Sequence, residues 1–316
     1  MLKKTETEAV AVQSPYVAVV GAVNVDLWGR SYAPLIPRDS NPGEIRASLG
    51  GVGGNIAHNL RRLGAEVELV AALGADDWAR RIEENCRTLG IGLRGALRIP
   101  DGRTSTYLCI SGPDGEPALA VCDVDISKQM TPEFLETRLP LLNGAALVVM
   151  DSNLTAEAID FLTGRCTCPI FADPISVTKA AKLAPVLDRI HTLKPNTVEA
   201  EALTGESDAE LAAQALVKKG VKRAFVSDGV NGIYAAEEGR CVRVPSFPAR
   251  LKNATGCGDS ALAALCRSFL DGRSLEDSAR YAAAAGAVTA ESDETVSPAM
   301  SAETVENRIK YAEENI

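Results

Sequence analysis

Aromatic residues, histidines and long apolar runs are scarce in this chain of 316 residues. Phe, Trp and Tyr together make up 4% of the chain, and the two histidines, His58 and His191, lie far apart. A centre built on several histidines is therefore not predicted. No apolar run approaches the roughly 18 residues that a membrane-spanning helix needs, so no membrane association is expected.

Basic residues do not outnumber acidic ones. The chain has 33 Lys and Arg residues against 42 Asp and Glu residues, which gives a net charge of -9. Nucleic-acid binding requires clustered positive charge, so no nucleic-acid partner is predicted. Residues 1–15 are polar and lack the apolar core of a signal peptide. We therefore expect a flexible N-terminal tail and a cytoplasmic protein.

The eight cysteines are widely spaced, apart from Cys166 and Cys168. This pair has neither a second pair nor a nearby histidine, so it does not predict a zinc site. Most of the cysteines lie in apolar segments, which is typical of reduced cysteines in a protein core.

Short apolar segments alternate along the chain with segments of helical periodicity. Residues 16–23 and 65–73 predict buried strands, and residues 55–63 between them predict a helix that ends at Gly64. The alternation continues to residue 289. It predicts an α/β fold with a mostly parallel central sheet flanked by helices.

Two stretches break this alternation. Residues 30–48 are rich in proline and lack helical periodicity, and residues 103–125 predict a hairpin around the turn at 112–115. We expect these lid segments to form a small inserted β-sheet that excludes water from a site. The predicted catalytic domain spans residues 16–300.

A turn of small residues, 253–259, precedes a predicted helix. Its glycines allow a ligand to approach the backbone, and the N-terminus of the helix favours an anion such as a phosphoryl group. Asp259 at this position could take a proton from an attacking hydroxyl. A purely structural role as a helix cap fits the pattern equally well.

Three further polar turns are candidates for a site. The glycine-rich turn 50–55 has no P-loop lysine, so backbone contacts to a polar substrate are the better interpretation. Asp26 follows the first predicted strand, where it could bind a vicinal diol or lie in a simple turn. Asn196 and Glu199 fit either a helix-capping pair or a pair that orients Mg²⁺-bound water beside phosphates.

These four motifs, in this order, resemble those of the ribokinase-like family of sugar and nucleoside kinases, over about residues 17–298. The resemblance implies an ATP-dependent kinase that phosphorylates a hydroxyl of a small sugar-containing substrate. Asp259 would be the general base, and the backbone N–H groups of Gly256, Cys257 and Gly258 would form an anion hole. Glu199 would hold Mg²⁺, through water.

The resemblance also implies two binding sites. The residues expected to contact the sugar are Asn24, Asp26, Gly50, Gly51, Asn55 and Asp259. The residues expected to contact the nucleotide are Asn196, Glu199, Ser227, Asp228, Gly229, Gly232, Thr255, Gly256 and Gly258. Asn253 replaces an aspartate that helps many relatives to bind a monovalent cation, which leaves K⁺ dependence open. Lid-to-lid pairing is common in the family, so a homodimer through the lid is compatible with the resemblance.

Within this family the chain is most similar to the pseudouridine kinases, in residues 151–154, 173–179 and 191–196. This likeness implies transfer to the 5′-hydroxyl of pseudouridine, with Asn153 at the substrate. Thr106, Asp123 and Lys179 are candidates for contacts to the base, although each could equally be an ordinary strand or surface residue. Kinases of ribose, fructose, adenosine or inosine are the alternatives, followed by a nucleoside sensor without activity.

Overall fold

The computed structural model describes residues 15–314. The predicted N-terminal tail lies outside the described residues, apart from Pro15. The strands, in chain order, are β1 (Tyr16–Val20), β2 (Asn24–Ser31), β3 (Gly43–Gly50), β4 (Glu66–Val70), β5 (Ala72–Leu73), β6 (Ile91–Gly92), β7 (Leu97–Arg98), β8 (Thr106–Ser111), β9 (Pro117–Asp123), β10 (Leu147–Asp151), β11 (Ile170–Asp173), β12 (Thr192–Leu193), β13 (Arg223–Ser227), β14 (Ile233–Glu237) and β15 (Arg240–Val244).

Helices connect most of these strands. The α-helices, in chain order, are α1 (Val52–Arg62), α2 (Asp77–Leu89), α3 (Pro132–Glu136), α4 (Leu139–Asn143), α5 (Ala156–Arg165), α6 (Val177–Ala180), α7 (Thr197–Thr204), α8 (Ala209–Lys218), α9 (Cys257–Leu270), α10 (Leu275–Ala290) and α11 (Ala302–Glu314). Short 3₁₀ segments cover Asp125–Gln129, Ala181–Arg189 and Gly229–Asn231.

Within residues 15–314, the central sheet has nine strands in the order β15-β14-β13-β12-β11-β10-β1-β4-β6. The strands from β13 to β6 pair in parallel, and β14 and β15 form an antiparallel pair at one edge. The predicted α/β fold with a mostly parallel sheet is therefore confirmed. The β14–β15 edge is not part of the sequence prediction.

Both faces of the central sheet are covered by helices. In β1, Val17 and Val19 pack into one apolar core, while Ala18 and Val20 pack into a second core on the opposite face. Burial on both faces explains why β1 is a continuous apolar run rather than an alternating one. The first core is shared with α1, α2, α9, α10 and α11, and the second with α3, α5, α7 and α8.

A smaller separate sheet, which we call the lid, has the strand order β3-β2-β8-β9. The predicted hairpin is present as the antiparallel pair β8–β9. The other half of the lid begins at Asn24 and ends at Gly50, so it is longer than the predicted segment 30–48. Asp26 consequently lies within a lid strand, because β1 already ends at Val20.

The chain continues past the predicted domain end at residue 300 into α11. Val305 and Ile309 of this helix are buried in the first core. In the part of the chain that the structure describes, no helix combines the length and the apolar character needed to cross a membrane.

Candidate active site

Two helices begin beside the lid with a glycine in place of a capping side chain. Gly256 precedes α9 with φ 85°, and Gly51 precedes α1 with φ 87°. Among the described residues, no side chain caps the first amide groups of either helix. Gly54 and Cys257 donate their amides to the backbone carbonyls of Ala22 and Ala254. The positive ends of the two helix dipoles, without a capping side chain, still favour a polar or anionic ligand.

These two glycines are required by the backbone as well. A Cβ atom on Gly51 would lie 2.6 Å from the carbonyl oxygen of Ala22 and 2.6 Å from Oδ1 of Asn24. A Cβ atom on Gly256 would overlap the backbone of Thr295. Positive φ angles and the absence of space together explain why both helices start with glycine.

A hydrogen bond joins the starts of α1 and α9. Asn55 Nδ2 donates to Asp259 Oδ2 at 2.8 Å. Loss of hydration, followed by the charge of Asp173, raises the pKa of Asp259 to about 7, although Asn55 and Lys194 oppose this shift. A carboxylate with a pKa near neutrality can accept a proton at physiological pH. Two motifs that are distant in sequence thus meet at one titratable group.

Lys194 lies directly behind this turn and is 4% exposed. Its Nζ atom is 3.4 Å from Asp173 Oδ2 and 3.1 Å from the position that a Cβ atom on Gly258 would occupy. Burial acts to lower the pKa of Lys194, but Asp173, Glu199 and Asp259 raise it above its usual value. The ammonium group therefore stays positively charged beside the start of α9.

Sequence reasoning assigned no role to Lys194. It directly follows the short predicted strand 190–193 and precedes the Asn196 turn. A lysine directly after a buried strand is a signal for a group at the ligand-binding edge of the sheet.

The polar residues of the first lid strand meet the glycine-rich turn. Asn24 donates from Nδ2 to Asp26 Oδ1. A Cβ atom on Gly50 would overlap the carboxylate of Asp26, so this glycine makes room for it. Burial raises the pKa of Asp26, and the hydrogen bond from Asn24 partly offsets the shift. Asn24, Asp26, Gly50 and Gly51 thus surround the start of α1, where Asn55 lies.

Asn196 and Glu199 form a complete capping box at the start of α7. Asn196 Oδ1 accepts from the Glu199 amide at 2.8 Å, and Glu199 Oε2 accepts from the Asn196 amide at 2.9 Å. The capping interpretation is therefore confirmed. It engages one carboxylate oxygen of Glu199, which leaves Oε1 outside the box.

The turn after β13 adjoins this capping box. The Ser227 amide donates to the carbonyl oxygen of Pro195 at 2.9 Å, and the Asp228 amide donates to that of Gly232 at 2.8 Å. Gly229 has φ 50° and Gly232 has φ 101°. The predicted nucleotide-side residues of both turns are thus neighbours.

Residues 15–314 contain no cluster of three or more His, Cys, Asp or Glu side chains that could hold a metal ion by themselves. Mg²⁺ in kinases is held mainly by phosphate oxygens and water, with one or two carboxylates. Glu199, with one oxygen outside its capping box, fits that kind of site. The buried Asp173 is already paired with Lys194.

A side-chain hydrogen bond joins the loop after β10 to α6, the helix that follows β11. Lys179 Nζ donates to Asn153 Oδ1 at 2.6 Å. Between β11 and α6, Ile175 has φ 67°, a conformation that β-branched residues rarely adopt. Asp173 Oδ1 supports it by accepting the Ile175 amide at 2.8 Å.

Thr106 and Asp123 do not share the lid face of Asp26. They pair with each other across β8 and β9, and Thr106 also pairs with Val25 on β2, whereas Asp26 pairs with Tyr107. Because side chains alternate along a strand, this register directs both to the opposite face. Thr106 Oγ1 donates to the carbonyl oxygen of Thr104, and Asp123 forms an ion pair with Arg103.

The turn before α9 is stabilised locally. The Thr255 amide donates to Asn253 Oδ1 at 2.9 Å. Burial, followed by the charge of Asp259, raises the pKa of Cys257 to about 11. Cys257 is therefore a neutral thiol at physiological pH, so the turn contributes backbone N–H groups rather than a nucleophile.

The family model described as pfkB family carbohydrate kinase matches residues 14–302. The chain belongs to this family. It is 36% identical to the uncharacterized sugar kinase YeiI of Escherichia coli (93% of this chain, 83% of the relative). It is 32% identical to the pseudouridine kinase of the same organism (95% of this chain, 98% of the relative).

Solved structures of kinases share the fold. A putative sugar kinase from Clostridium perfringens superposes with a TM-score of 0.87 and 30% identity (95% and 96% of the two chains). The Arabidopsis thaliana ribokinase in complex with ribose and ATP has a TM-score of 0.81 and 22% identity (94% and 99%).

This pfkB kinase is therefore a phosphotransferase with an alcohol group as acceptor, within the sugar and nucleoside kinases. The ribokinase-like fold and the likeness to a pseudouridine kinase, both predicted from the sequence, are confirmed.

Proposed function

We propose that this kinase acts in the cytoplasm and transfers the γ-phosphoryl group of ATP to the 5′-hydroxyl of pseudouridine. The products are pseudouridine 5′-phosphate and ADP. The observation that carries the proposal is the Asn55–Asp259 hydrogen bond at the uncapped start of α9. It combines a carboxylate of near-neutral pKa with helix N–H groups that no side chain caps, as transfer of a phosphoryl group to an alcohol requires.

The sugar of the substrate would lie between the lid and the start of α1. Asp26, whose carboxylate borders Gly50, would accept hydrogen bonds from the vicinal hydroxyls. Asn24 and Asn55 hold the two carboxylates of this site in place, which positions the substrate between Asp26 and Asp259. Asn153, held by Lys179, would contact the substrate from the loop after β10.

The chemical step requires one proton acceptor and a set of positive groups. Asp259 would take the proton of the 5′-hydroxyl as its oxygen bonds to the γ-phosphorus and the bond to ADP breaks. The N–H groups of Gly256, Cys257 and Gly258 and the ammonium of Lys194 would stabilise the charge on the transferring group. Mg²⁺, oriented by Glu199 through water, would supply further charge neutralisation at the phosphates.

The nucleotide would lie along the turns at Asn196 and at 227–232. The neighbouring Arabidopsis ribokinase is described as a complex with ATP, which supports the choice of phosphoryl donor. The pseudouridine kinase of E. coli supports the choice of acceptor, because the two chains align over nearly their full lengths. The higher identity to a sugar kinase makes a free sugar the second candidate acceptor.

A substrate panel tests the proposal. We expect kcat/KM, measured as ADP release with Mg-ATP, to be highest for pseudouridine among pseudouridine, uridine, adenosine, inosine, ribose and fructose. A clear preference for ribose, fructose or adenosine would contradict it.

The same panel, run with and without K⁺, tests for a monovalent-cation site. Because Asn253 supplies no negative charge, we expect K⁺ to change turnover little.

We also propose that two copies pair through their lids. Four large apolar side chains lie on the lid face opposite Asp26, namely Ile45 (81% exposed), Leu108 (36%), Leu119 (60%) and Val121 (56%). An apolar patch of this kind is a typical protein–protein contact, and the edge strands β3 and β9 have backbone groups free to pair. A second copy offers the same apolar strands.

Charge on this face should therefore dissociate the dimer. We expect the wild-type enzyme to elute as a dimer in size-exclusion chromatography with light scattering, and Val121→Lys to elute as a monomer. Ala120→Lys places the same charge on the adjacent position of β9, whose side chain faces the other way. This control should stay dimeric. A monomeric wild type would overturn the proposal.

A further inference from the structure

The lid face that carries Asp26 also carries two aromatic side chains. Trp28 is two residues further along β2, and Tyr107 on β8 pairs directly with Asp26. Side chains two positions apart on a strand, or opposite each other on paired strands, point to the same face. Aromatic residues are few in this chain, so two of them beside Asp26, the carboxylate proposed to bind the sugar, form a distinctive feature.

The two rings are direct neighbours on this face. Their centroids are 6.2 Å apart and their planes are tilted by 59°. Trp28 nevertheless remains 41% exposed, whereas Cys109, its partner in the register of β2 and β8, is fully buried. A substantial part of the Trp28 side chain is therefore accessible to a ligand on the lid face that carries Asp26.

The surroundings of Tyr107 confirm this arrangement. Burial, followed by the thiols of Cys109 and Cys122 and the carboxylate of Asp26, raises the pKa of Tyr107. Each of these groups lies on the same lid face by strand register. Tyr107 is therefore a neutral phenol close to Asp26.

We infer that Trp28 and Tyr107 form an aromatic platform that contacts the base of a nucleoside substrate and thereby favours nucleosides over free sugars. This inference rests on the proposed phosphorylation of a nucleoside. Residues two apart on a strand are separated by about 7 Å. A base attached to a sugar whose diol is bound at Asp26 reaches across that distance to Trp28, whereas a free pentose ends before it.

The platform recognises the flat face of a base rather than its hydrogen-bonding groups. Stacking of a base on an aromatic side chain tolerates different bases, because every base has a π face. Selection among bases is then left to polar groups such as Lys179 on α6, the helix that follows β11. Thr106 and Asp123 point to the other face of the lid and take no part in the platform.

Kinetics of Trp28→Leu test the inference. We expect KM for pseudouridine to rise about 5- to 100-fold, the usual effect of losing one base–aromatic contact, with a much smaller change in kcat. The ratio of kcat/KM for pseudouridine to that for ribose should fall, since ribose does not reach the ring. Trp28→Phe, which retains a ring, should restore most of the KM.

A purely structural role for Trp28 would give a different pattern. Loss of lid closure would lower kcat and raise ADP release without substrate, and it would affect pseudouridine and ribose alike. That result, or an unchanged KM for pseudouridine in Trp28→Leu, would overturn the inference.

Fluorescence supplies a readout that does not depend on turnover. The chain has two tryptophans, so Trp78→Phe leaves Trp28 as the single indole. Trp78 lies on α2, with the Arg81 guanidinium 4.9 Å from its ring. We expect pseudouridine, added without ATP, to quench or shift the emission of Trp28, and ribose to leave it nearly unchanged.

The two readouts separate the two proposals. If wild-type enzyme phosphorylates ribose and no nucleoside, the proposed function fails. If pseudouridine is phosphorylated but neither changes Trp28 emission nor loses affinity in Trp28→Leu, the platform fails and the proposed function stands. Equal responses of Trp28 emission to ribose and pseudouridine would also overturn the platform, because they would report lid closure alone.

Discussion

Asp259→Asn is expected to leave the kinase folded and to lower kcat about 10²- to 10⁴-fold, the usual contribution of a general base. The amide can still accept the hydrogen bond from Asn55 but cannot take the proton of the 5′-hydroxyl. ADP release with pseudouridine measures the loss, and circular dichroism measures the fold. Asp160→Asn is a matched control that makes the same chemical change outside the site. Asp160 lies on α5 and forms an exposed ion pair with Arg189.

The pH profile makes this prediction more specific. Asp259 acts only as a carboxylate and its pKa is raised to about 7, so kcat/KM should rise with pH, be half-maximal near pH 7 and level off above it. The acidic limb should be absent from the residual activity of Asp259→Asn. Near-normal turnover of this variant, or an unchanged acidic limb, would contradict the role of Asp259.

The same pKa shift predicts a change in stability. A carboxyl group whose folded pKa is raised above its unfolded value of about 3.9 destabilises the fold at high pH. The penalty is complete above about pH 7 and absent below about pH 4. Asp259→Asn should therefore have a Tm equal to or above that of the wild type at pH 8. A catalytic group held at a cost to stability behaves in this way.

The main fold could be predicted because its signals are local. The apolar run of β1 and the helical periodicity of α1 are each contained within a few residues, and their alternation sets the parallel sheet. The β14–β15 hairpin was missed because it breaks that alternation at the edge of the sheet. Its turn contains Gly239, which has φ 72°. A glycine between two short apolar runs is the sequence signal that could have revealed the hairpin.

The lid was predicted only in outline, because its register depends on contacts between distant segments. Period-two alternation places Asp26 and Tyr107 on defined faces of their own strands, but not on the same face of the sheet. The pairing of β2 with β8 decides that. Thr106 therefore could not be separated from Tyr107 as a base contact from the sequence alone.

The candidate site likewise combines local motifs, which the sequence shows, with contacts between distant segments, which it does not show. The glycines at the starts of α1 and α9 and the pair Asn196–Glu199 are visible as short motifs. The Lys194–Asp173 ion pair is not, because it joins the ends of β12 and β11, and its proximity to Gly258 arises only from packing against α9. The position of this lysine directly after a buried strand indicates the ligand-binding edge of the sheet, but not the groups that it contacts there.

Lys194→Met should have the largest combined effect of any single substitution in the site. It leaves Asp173 buried without its partner, which is expected to lower the free energy of unfolding by about 3–5 kcal/mol. It also removes a positive charge beside Gly258, so kcat should fall about 10²- to 10³-fold. Denaturant unfolding and ADP release measure the two effects separately.

A double variant separates structure from chemistry. Lys194→Met combined with Asp173→Asn removes both buried charges, and Asn can still accept the Ile175 amide, so most of the lost stability should return. Turnover should nevertheless remain low, because the positive charge at the start of α9 is still missing. Asp173→Asn alone, which retains that charge, should keep more activity than either lysine variant. If the double variant recovers turnover together with stability, Lys194 only neutralises Asp173 and does not act on the transferring phosphoryl group.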